Sequence, residues 1–466
     1  MFARTPPGDP IAALTTLLPM TTTAPNVVFM LADNVGVGDL SCYGGSVATP
    51  RLDQLATEGM RFDNFNTEAQ CTPTRGAILT GRMPIRTGTF RVPLPGEPGD
   101  YGLSRWEYTV ADLFHDSGYA TACYGKWHLG NVPGRFPTDQ GFDEWWGISE
   151  SSDEASYTAH PLYPDDWHRP QILQSQRGEA PRGFDDFNLD TRPFMDEQIT
   201  SRTIEFIERS TTADRPFFVY ASFTNLHPPM IAHPDFADAE TAYAANMAEL
   251  DARAGQILDA LDALGVADNT IVVWASDNAA TEAMGSSSGE WRGKFGGGWE
   301  GSIRAPAMIR WPGHVPAGVV TNQIVATYDW LPTLAAMATE SDRVPTDRPI
   351  DGIDMSPFML GKADESGRDD FVFLGSDGQP VSVKWKTMKV HFRVAMNDSW
   401  TAPILTRQIP AIYDLADDPG EEVDLMDTQL TVAWVIRAAM APIVALRQSA
   451  TQYPHIPPGA EFHGYD

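Results

Sequence analysis

The chain has 466 residues, 42% of them hydrophobic, enough to bury a large core with room for one big domain and a smaller one. Its 33 basic and 62 acidic side chains leave a net charge of -29, which disfavours nucleic acid, an anionic membrane or a heavily sulfated polymer as routine partner but leaves room for a local basic pocket holding one anion. Three cysteines, Cys42, Cys71 and Cys123, make an odd count in a long chain and imply no disulfide framework.

Residues 1–24 read as an irregular leader. The apolar stretch Ile11 to Leu18 follows Asp9 and runs into Pro19, without the basic flank or small-residue cleavage site of a secretion signal. No later apolar run reaches the length of a bilayer span, so the expectation is a cytoplasmic protein without a membrane segment. Buried strands are expected at Val27–Ala32, Tyr119–Tyr124, Phe217–Ser222 and Thr270–Ala275, with amphipathic segments between them. That alternation predicts an α/β domain over residues 25–345, built on a large, mainly parallel sheet flanked by helices. Proline favours the first helical turn, which predicts a short helix over Pro73–Thr80 before Gly81. Tyr243, Met247, Leu250, Ala254, Leu258 and Leu261 step at three and four residues, which predicts a long helix over Thr241–Leu264 with Gly265 as its stop. From Ala338 to Asp370 the chain turns rich in proline, glycine and charge; Phe371–Leu374 and Val381–Val390 then flank a Gly-Ser-Asp-Gly turn. Residues 346–466 therefore read as a smaller C-terminal α+β domain with a short antiparallel sheet. A helix over Thr428–Gln448, kinked or broken near Pro442, and an irregular tail after Tyr453 complete it.

Four of the expected strands end in residues that bind metal or move protons: Asp33-Asn34, Lys126 with His128, His227, and Asp277-Asn278. In open α/β sheets ligands bind beyond the strand C-termini, so these segments can converge there. The two Asp-Asn pairs offer the carboxylate and amide oxygens that a hard cation such as calcium or magnesium prefers, although either pair alone is equally well turn chemistry. Lys126 and His128 stand two apart, so in an extended segment both point one way with Trp127 opposite. Each is weak taken singly, as is His227 ahead of Pro228-Pro229. Cys71 is placed at a helix N-terminus, where backbone N–H groups attract anions, with Arg75 one turn along. A free thiol without a catalytic role and a direct cysteine nucleophile are both open on these residues alone.

The segment Cys71-Thr72-Pro73-Thr74-Arg75-Gly76-Ala77-Ile78-Leu79-Thr80-Gly81-Arg82 resembles the signature of the sulfatase family of the alkaline-phosphatase superfamily. Further matches follow in that family's order: Leu31-Ala32-Asp33-Asn34, Gly125-Lys126-Trp127-His128-Leu129-Gly130, Ser276-Asp277-Asn278, Lys294 ahead of Trp299 to Pro306, and Tyr413-Asp414-Leu415 with Asp418-Pro419-Gly420-Glu421. The likeness spans roughly Pro25 to Leu425. It implies that Cys71 is oxidised to formylglycine by a maturation enzyme, and that the aldehyde hydrate attacks the sulfur of a sulfate ester. One hydroxyl would form the enzyme sulfate ester and the other would expel sulfate as the hemiacetal collapses. The resemblance further implies that Asp33, Asn34, Asp277 and Asn278 hold one calcium ion, with magnesium or manganese as alternatives. Arg75, Lys126 and Lys294 would then supply positive charge, His128 would act as the base for collapse, and His227, helped by Lys294, would protonate the leaving oxygen. One departure bears on the metal: many members carry a second aspartate where this chain has Asn34, which removes one negative charge from the implied cage.

The expected reaction is hydrolysis of an aryl or small alkyl sulfate to a phenol or alcohol plus inorganic sulfate. A phosphonate monoester or phosphodiester hydrolase of the same superfamily is the nearest alternative, since the same groups suit any tetrahedral oxyanion. An alternative of another class is a non-catalytic sulfoglycan- or anion-binding protein with unmodified Cys71. Trp145, Trp146, Tyr157, Tyr163 and Trp167 mark out a candidate wall for an apolar leaving group.

Overall fold

The computed structural model describes residues 24–94, 97, 100–281, 285–339, 341–397 and 401–465, so the leader expected at residues 1–24 lies almost wholly outside the described residues. Strand β1 (Asn26–Ala32) is buried throughout, and its pleat divides it between two cores. Val27, Phe29 and Leu31 enter one core while Val28, Met30 and Ala32 enter the other. Strands flanked this way read as continuous apolar runs, the pattern of a parallel sheet covered on both faces.

The sheet is completed by β2 (Met60–Asn66), β3 (Ala120–Lys126), β4 (Glu144–Ile148), β5 (Gln171–Gln176), β6 (Arg182–Asp186), β7 (Phe217–Ser222), β8 (Thr270–Ser276), β9 (Arg304–Arg310), β10 (Val319–Thr321) and β11 (Val325–Ala326). Their order is β10-β2-β9-β8-β1-β7-β3-β4-β5-β6, with β11 also on β2. The centre, β8-β1-β7-β3-β4, is parallel. By contrast β9 runs antiparallel to both β8 and β2, and the β4-β5-β6 edge is antiparallel. Helices Pro50–Glu58, Met195–Thr212 and Ala242–Ala263 cover one face, and Cys71–Thr80, Val110–Asp116 and Trp330–Ala338 the other. The long helix begins at the expected place because the Thr241 side chain accepts the Ala244 N–H.

A second, four-stranded antiparallel sheet runs β12 (Asp370–Leu374), β13 (Pro380–Trp385), β14 (Met388–Ala395) and β15 (Ile404–Asp414). The expected run Val381–Val390 is in fact two strands. Trp385 pairs with Met388 across Lys386, whose φ of 55° makes the turn without the glycine or asparagine that would have marked it. The C-terminal helix, Val435–Gln452, continues through Pro442 rather than breaking there. Its buried stripe Val435, Ala439, Ile443 and Leu446 packs against the small sheet and holds it in place. Preceded by the 3-10 turn Leu430–Trp434, this stretch of 23 residues is also long and apolar enough to cross a membrane by length and composition. A search for one unbroken apolar run passes over it, because alanines and scattered large residues raise its apolar character between Arg437 and Arg447. The tail after it is irregular but docked: the Tyr465 ring stands edge-on to Trp106, and its hydroxyl accepts from Arg82 at 2.8 Å.

Candidate active site

The parallel neighbours β8, β1, β7 and β3 all end at one edge of the large sheet, and the residues that follow them gather over that edge. β1 delivers Asp33 and Asn34, β8 delivers Asp277 and Asn278, β3 ends on Lys126, and β7 ends on Ser222 five residues before His227. The helix carrying Cys71 starts two residues earlier than expected, with Gln70 extended as its N-cap and Cys71 as its first residue.

Arg75, one turn along, is fully buried and holds the two aspartates together. Its Nε and Nη2 lie 2.9 and 2.8 Å from Asp277 Oδ2, and its Nη2 lies 3.1 Å from Asp33 Oδ2. Lys126 Nζ approaches the same Asp33 oxygen at 2.7 Å. Two buried cations thus balance two buried carboxylates, an arrangement stable only while every member is present. Burial works to raise the Asp33 pKa, but Lys126, His227 and Arg75 outweigh it and hold this carboxyl far below its ordinary range. At Asp277 burial and the neighbouring Asp33 charge win, and the carboxyl rises. Burial, Asp277 and Asp33 also push the Cys71 thiol well up, and its Sγ lies 3.7 Å from Asp33 Oδ1 as a neutral donor.

Asn34 and Asn278 face one another, the Asn278 amide donating to the Asn34 side-chain oxygen. Among the described residues Asn278 Oδ1 is buried without a donor, so this acceptor is left for another partner. Asp33, Asp277, Asn34 and Asn278 therefore present a hard-oxygen donor set that fits a cation of the calcium or magnesium type. Asp33, Cys71 and His227 also bring ligand atoms within 4.8 Å of one another. That trio mixes oxygen, sulfur and nitrogen and suits a hard cation less well.

Lys126 ends its strand as expected, but His128 lies beyond it, with a left-handed φ of 59° instead of extended backbone. Its carbonyl accepts from Thr72 Oγ1 at 2.9 Å, which ties it to the residue after Cys71. Burial, Lys126 and Arg75 depress its pKa strongly, which favours the neutral imidazole, and among the described residues its buried Nδ1 has no partner. The pKa of His227 is lowered to about 4 by burial and Lys126. Its Nδ1 lies 2.9 Å from the Pro228 carbonyl and must donate there, so Nε2 is the atom facing Ser151 Oγ at 3.2 Å. Lys294 sits on a loop tied to the β8 end by the Phe295 N–H, which donates to the Ala280 carbonyl at 3.0 Å. Its ammonium makes no hydrogen bond or ion pair among the described residues, so Lys294 does not join the contacts of the cluster.

Residues 25–340 match the family model described as Sulfatase. Arylsulfatase A of Homo sapiens is 34% identical over 431 residues, covering 86% of this chain and 83% of that protein. The chain belongs to the sulfatase family. N-acetylgalactosamine-6-sulfatase of Canis lupus familiaris is 33% identical over 442 residues, covering 86% and 81%. Among solved structures, the PsFucS1 sulfatase from Pseudoalteromonas sp. superposes with a TM-score of 0.85 at 26% identity over 93% of this chain and 92% of that one. The phosphonate monoester hydrolase of Agrobacterium radiobacter shares the fold, with a TM-score of 0.58 at 22% identity, 92% of this chain and 96% of that one being covered. The protein is accordingly an enzyme of the sulfuric ester hydrolase class.

Two serines of the sulfatase site carry no motif. Ser222 accepts from Arg75 Nη1 and donates to the Lys126 carbonyl at 2.7 Å, and Ser151 stands between Lys126 Nζ, at 3.4 Å, and His227. Their only signal is position, since each lies at or just past the end of a strand neighbouring the site. Trp145 and Trp146 are core residues, sent to opposite cores by β4 alternation and each 2% exposed, and the cavity they do line, with Tyr124, Arg202 and Arg209, contains none of the residues of this site.

Just before the Cys71 helix, Glu68 is buried with Oε1 unpartnered among the described residues, and burial with the Asp351 charge pushes its carboxyl up to about 8. A carboxyl raised on folding contributes stability that is complete below its unfolded pKa of 4.5 and is lost as pH rises through about 8. Glu68→Gln should therefore flatten this fall, which amounts to on the order of 1 kcal/mol per pH unit at its steepest. Thermal melts of both proteins between pH 5 and pH 9 would show it. Parallel curves would remove Glu68 from the account.

Proposed function

We propose that this sulfatase hydrolyses an aryl or small alkyl sulfate monoester at Cys71, after its conversion to formylglycine by a separate maturation enzyme. The observation that supports this is the place of residue 71, the first residue of a buried helix, with its Sγ 3.7 Å from Asp33 Oδ1 and that carboxylate shared by Arg75 and Lys126. Burial and the two aspartates also push the thiol pKa up, which does not favour a thiolate nucleophile. The hydrated aldehyde would supply an oxygen nucleophile in its place. A divalent cation held by Asp33, Asn34, Asp277 and Asn278 would supply positive charge at the sulfate oxygens, with calcium as the proposed ion.

Around that point the protein's own groups divide the work. Arg75 fixes both carboxylates and cannot deprotonate, and Lys126 adds a second fixed charge. Lys294 offers a third cation from the opposite loop. His128, neutral and linked through its carbonyl to Thr72, is available as a base beside residue 71. His227 presents Nε2 with Ser151; the negative charge of a bound ester opposes Lys126 and draws a proton onto this nitrogen, ready for the leaving oxygen.

An acid at His227 predicts a dependence on the leaving group. His227→Ala should lower kcat about a hundredfold or more for an alkyl sulfate. For a nitrophenyl sulfate, whose phenolate leaves unaided, the loss should be much smaller. Steady-state rates on both esters test this, and equal losses would take His227 out of leaving-group protonation.

The acids Glu150, Asp153 and Glu154 flank Ser151; burial pushes Glu150 up to about 7 and Glu154 up to about 8, whereas at Asp153 burial is outweighed by His227, Ser151 and Tyr157, which hold its carboxyl down and charged. With the net charge of -29, the Asp153 charge favours a substrate bearing one sulfate over a polysulfated chain. A panel of aryl, alkyl and sugar monosulfates beside aryl phosphonates, read by release of inorganic sulfate or phosphonate, tests the whole reading. Fast phosphonate turnover with no ester releasing sulfate would overturn it.

A further inference from the structure

We propose that Glu421, contributed from beyond the small C-terminal sheet, is a positioning residue that sets the loop carrying Lys294 over the site. The inference rests on the reading of Lys294 as a cation facing substrate.

The loop cannot hold its own shape. Gly293, Gly296, Gly297 and Gly298 surround Lys294, and Gly293 and Gly296 have φ of 91° and 82°. Beside the Phe295 N–H to Ala280 carbonyl bond at its middle, the loop is held at its two ends, and Glu421 contacts both. Its backbone carbonyl accepts from Arg292 Nη1 at 2.8 Å, just before the glycines. Its carboxylate Oε2 accepts from the Glu300 N–H at 2.6 Å, just after them. The neck is closed by the Gly301 N–H, which donates to the Arg292 carbonyl at 2.7 Å.

Glu421 is itself held. It is fully buried; its Oε1 lies 2.6 Å from His391 Nε2 and 3.4 Å from Lys389 Nζ, and Lys389 also pairs with Glu300 at 2.8 Å. The Trp299 ring lies 4.4 Å from His391 on one side, with the Arg292 guanidinium 3.8 Å from its centroid. Ser382 Oγ donates to the Gly298 carbonyl at 2.9 Å. On the opposite side Ser288 Oγ donates to the Gly293 carbonyl at 3.0 Å, and the Phe295 N–H reaches the Ala280 carbonyl, two residues past Asn278. Lys294 is thus strung between the end of β8 and the small sheet, and only one of those anchors belongs to the large sheet. Removing the Glu421 carboxylate releases the Glu300 side of the neck and lets the glycines displace the lysine, and a shift of about 1 Å at such a group costs on the order of a hundredfold in rate.

The test compares the full-length wild type with Glu421→Ala, Glu421→Gln, Lys294→Ala and the Lys294→Ala/Glu421→Ala double variant on an aryl sulfate. Conversion at residue 71 is checked by mass in each. Glu421→Ala should lose about tenfold to a hundredfold in kcat/KM. The double variant should fall no further than Lys294→Ala alone, within about twofold. Glu421→Gln keeps an oxygen for the Glu300 N–H and should recover most of the activity. Losses that multiply in the double variant, or an unaffected Glu421→Ala, overturn the inference. So does Lys294→Ala with wild-type activity, while sulfate release by the wild type would still uphold the sulfatase reading. If Glu421→Ala does not fold, Arg292→Ala removes the other grip from an exposed position, and the same non-additivity with Lys294→Ala is required of it.

Discussion

Cys71→Ala should abolish sulfate-ester turnover, lowering kcat by at least about ten-thousandfold, while the protein remains folded. The size follows from where residue 71 stands. It opens a buried helix, faces Asp33, and has Arg75 one turn behind it and Lys126 across the same carboxylate. Those charges have nothing to act on once the reacting atom is gone. The structural cost is small by comparison, since deleting one sulfur from a small buried side chain costs on the order of 1 kcal/mol. Steady-state rates and melting curves on one preparation separate the two effects. In the wild type, activity should also scale with the fraction of the residue 71 peptide in which the CH2SH group has become an aldehyde. Full activity with an intact thiol would remove the maturation step, and appreciable turnover by Cys71→Ala would remove the residue.

Arg75→Ala should cost about 3–5 kcal/mol of stability as well as activity. Its guanidinium is the shared partner of Asp33 and Asp277, and it also donates to the Lys126 carbonyl at 2.9 Å and to Ser222. Without it, Lys126 alone faces two buried carboxylates, and Asp277, already raised, must take a proton or drag in water. Arg75→Lys should recover little, because one ammonium cannot span both aspartates and the β3 carbonyl. Denaturant unfolding of the three proteins measures this directly. A midpoint for Arg75→Ala within about 1 kcal/mol of wild type would mean that the aspartates are compensated by something else.

The route by which strand ends become a site is readable from residue order. Apolar runs ending in Asp33-Asn34 and Asp277-Asn278 place both pairs at one edge as soon as the strands are parallel neighbours, and β1 and β8 are. The Cys71 helix is readable from its proline and from Gly81, although its first turn begins earlier because Cys71 and Thr72 are as buried as the rest of it. His128 departs from the extended pattern because Lys126 ends the strand, and a left-handed residue there has no local signature when it is not glycine. Ser151 and Ser222 were beyond reach for a different reason, since a serine acquires meaning only from the side chains that tertiary structure brings to it. The pairing of Lys384 and Lys389 with Glu300 is of that kind too. Charges more than eighty residues apart in sequence meet in a fully buried cluster, and no periodicity foretells it.

The antiparallel strand β9 in an otherwise parallel centre has a consequence for how such an enzyme can diversify. A parallel return from β8 would have obliged the chain to cross the whole sheet before re-entering it. Because β9 comes back the other way, the connection from Asp277 to Ile303 leaves and rejoins at one edge, and that single span carries both Asp277-Asn278 and Lys294. Its length is therefore uncoupled from the architecture beneath. Doubling such a connection adds only about 0.6 kcal/mol of closure entropy. Away from Ala280 and Ser288, whose contacts hold the Lys294 loop, this connection can change length while the sheet that anchors the reacting groups stays as it is.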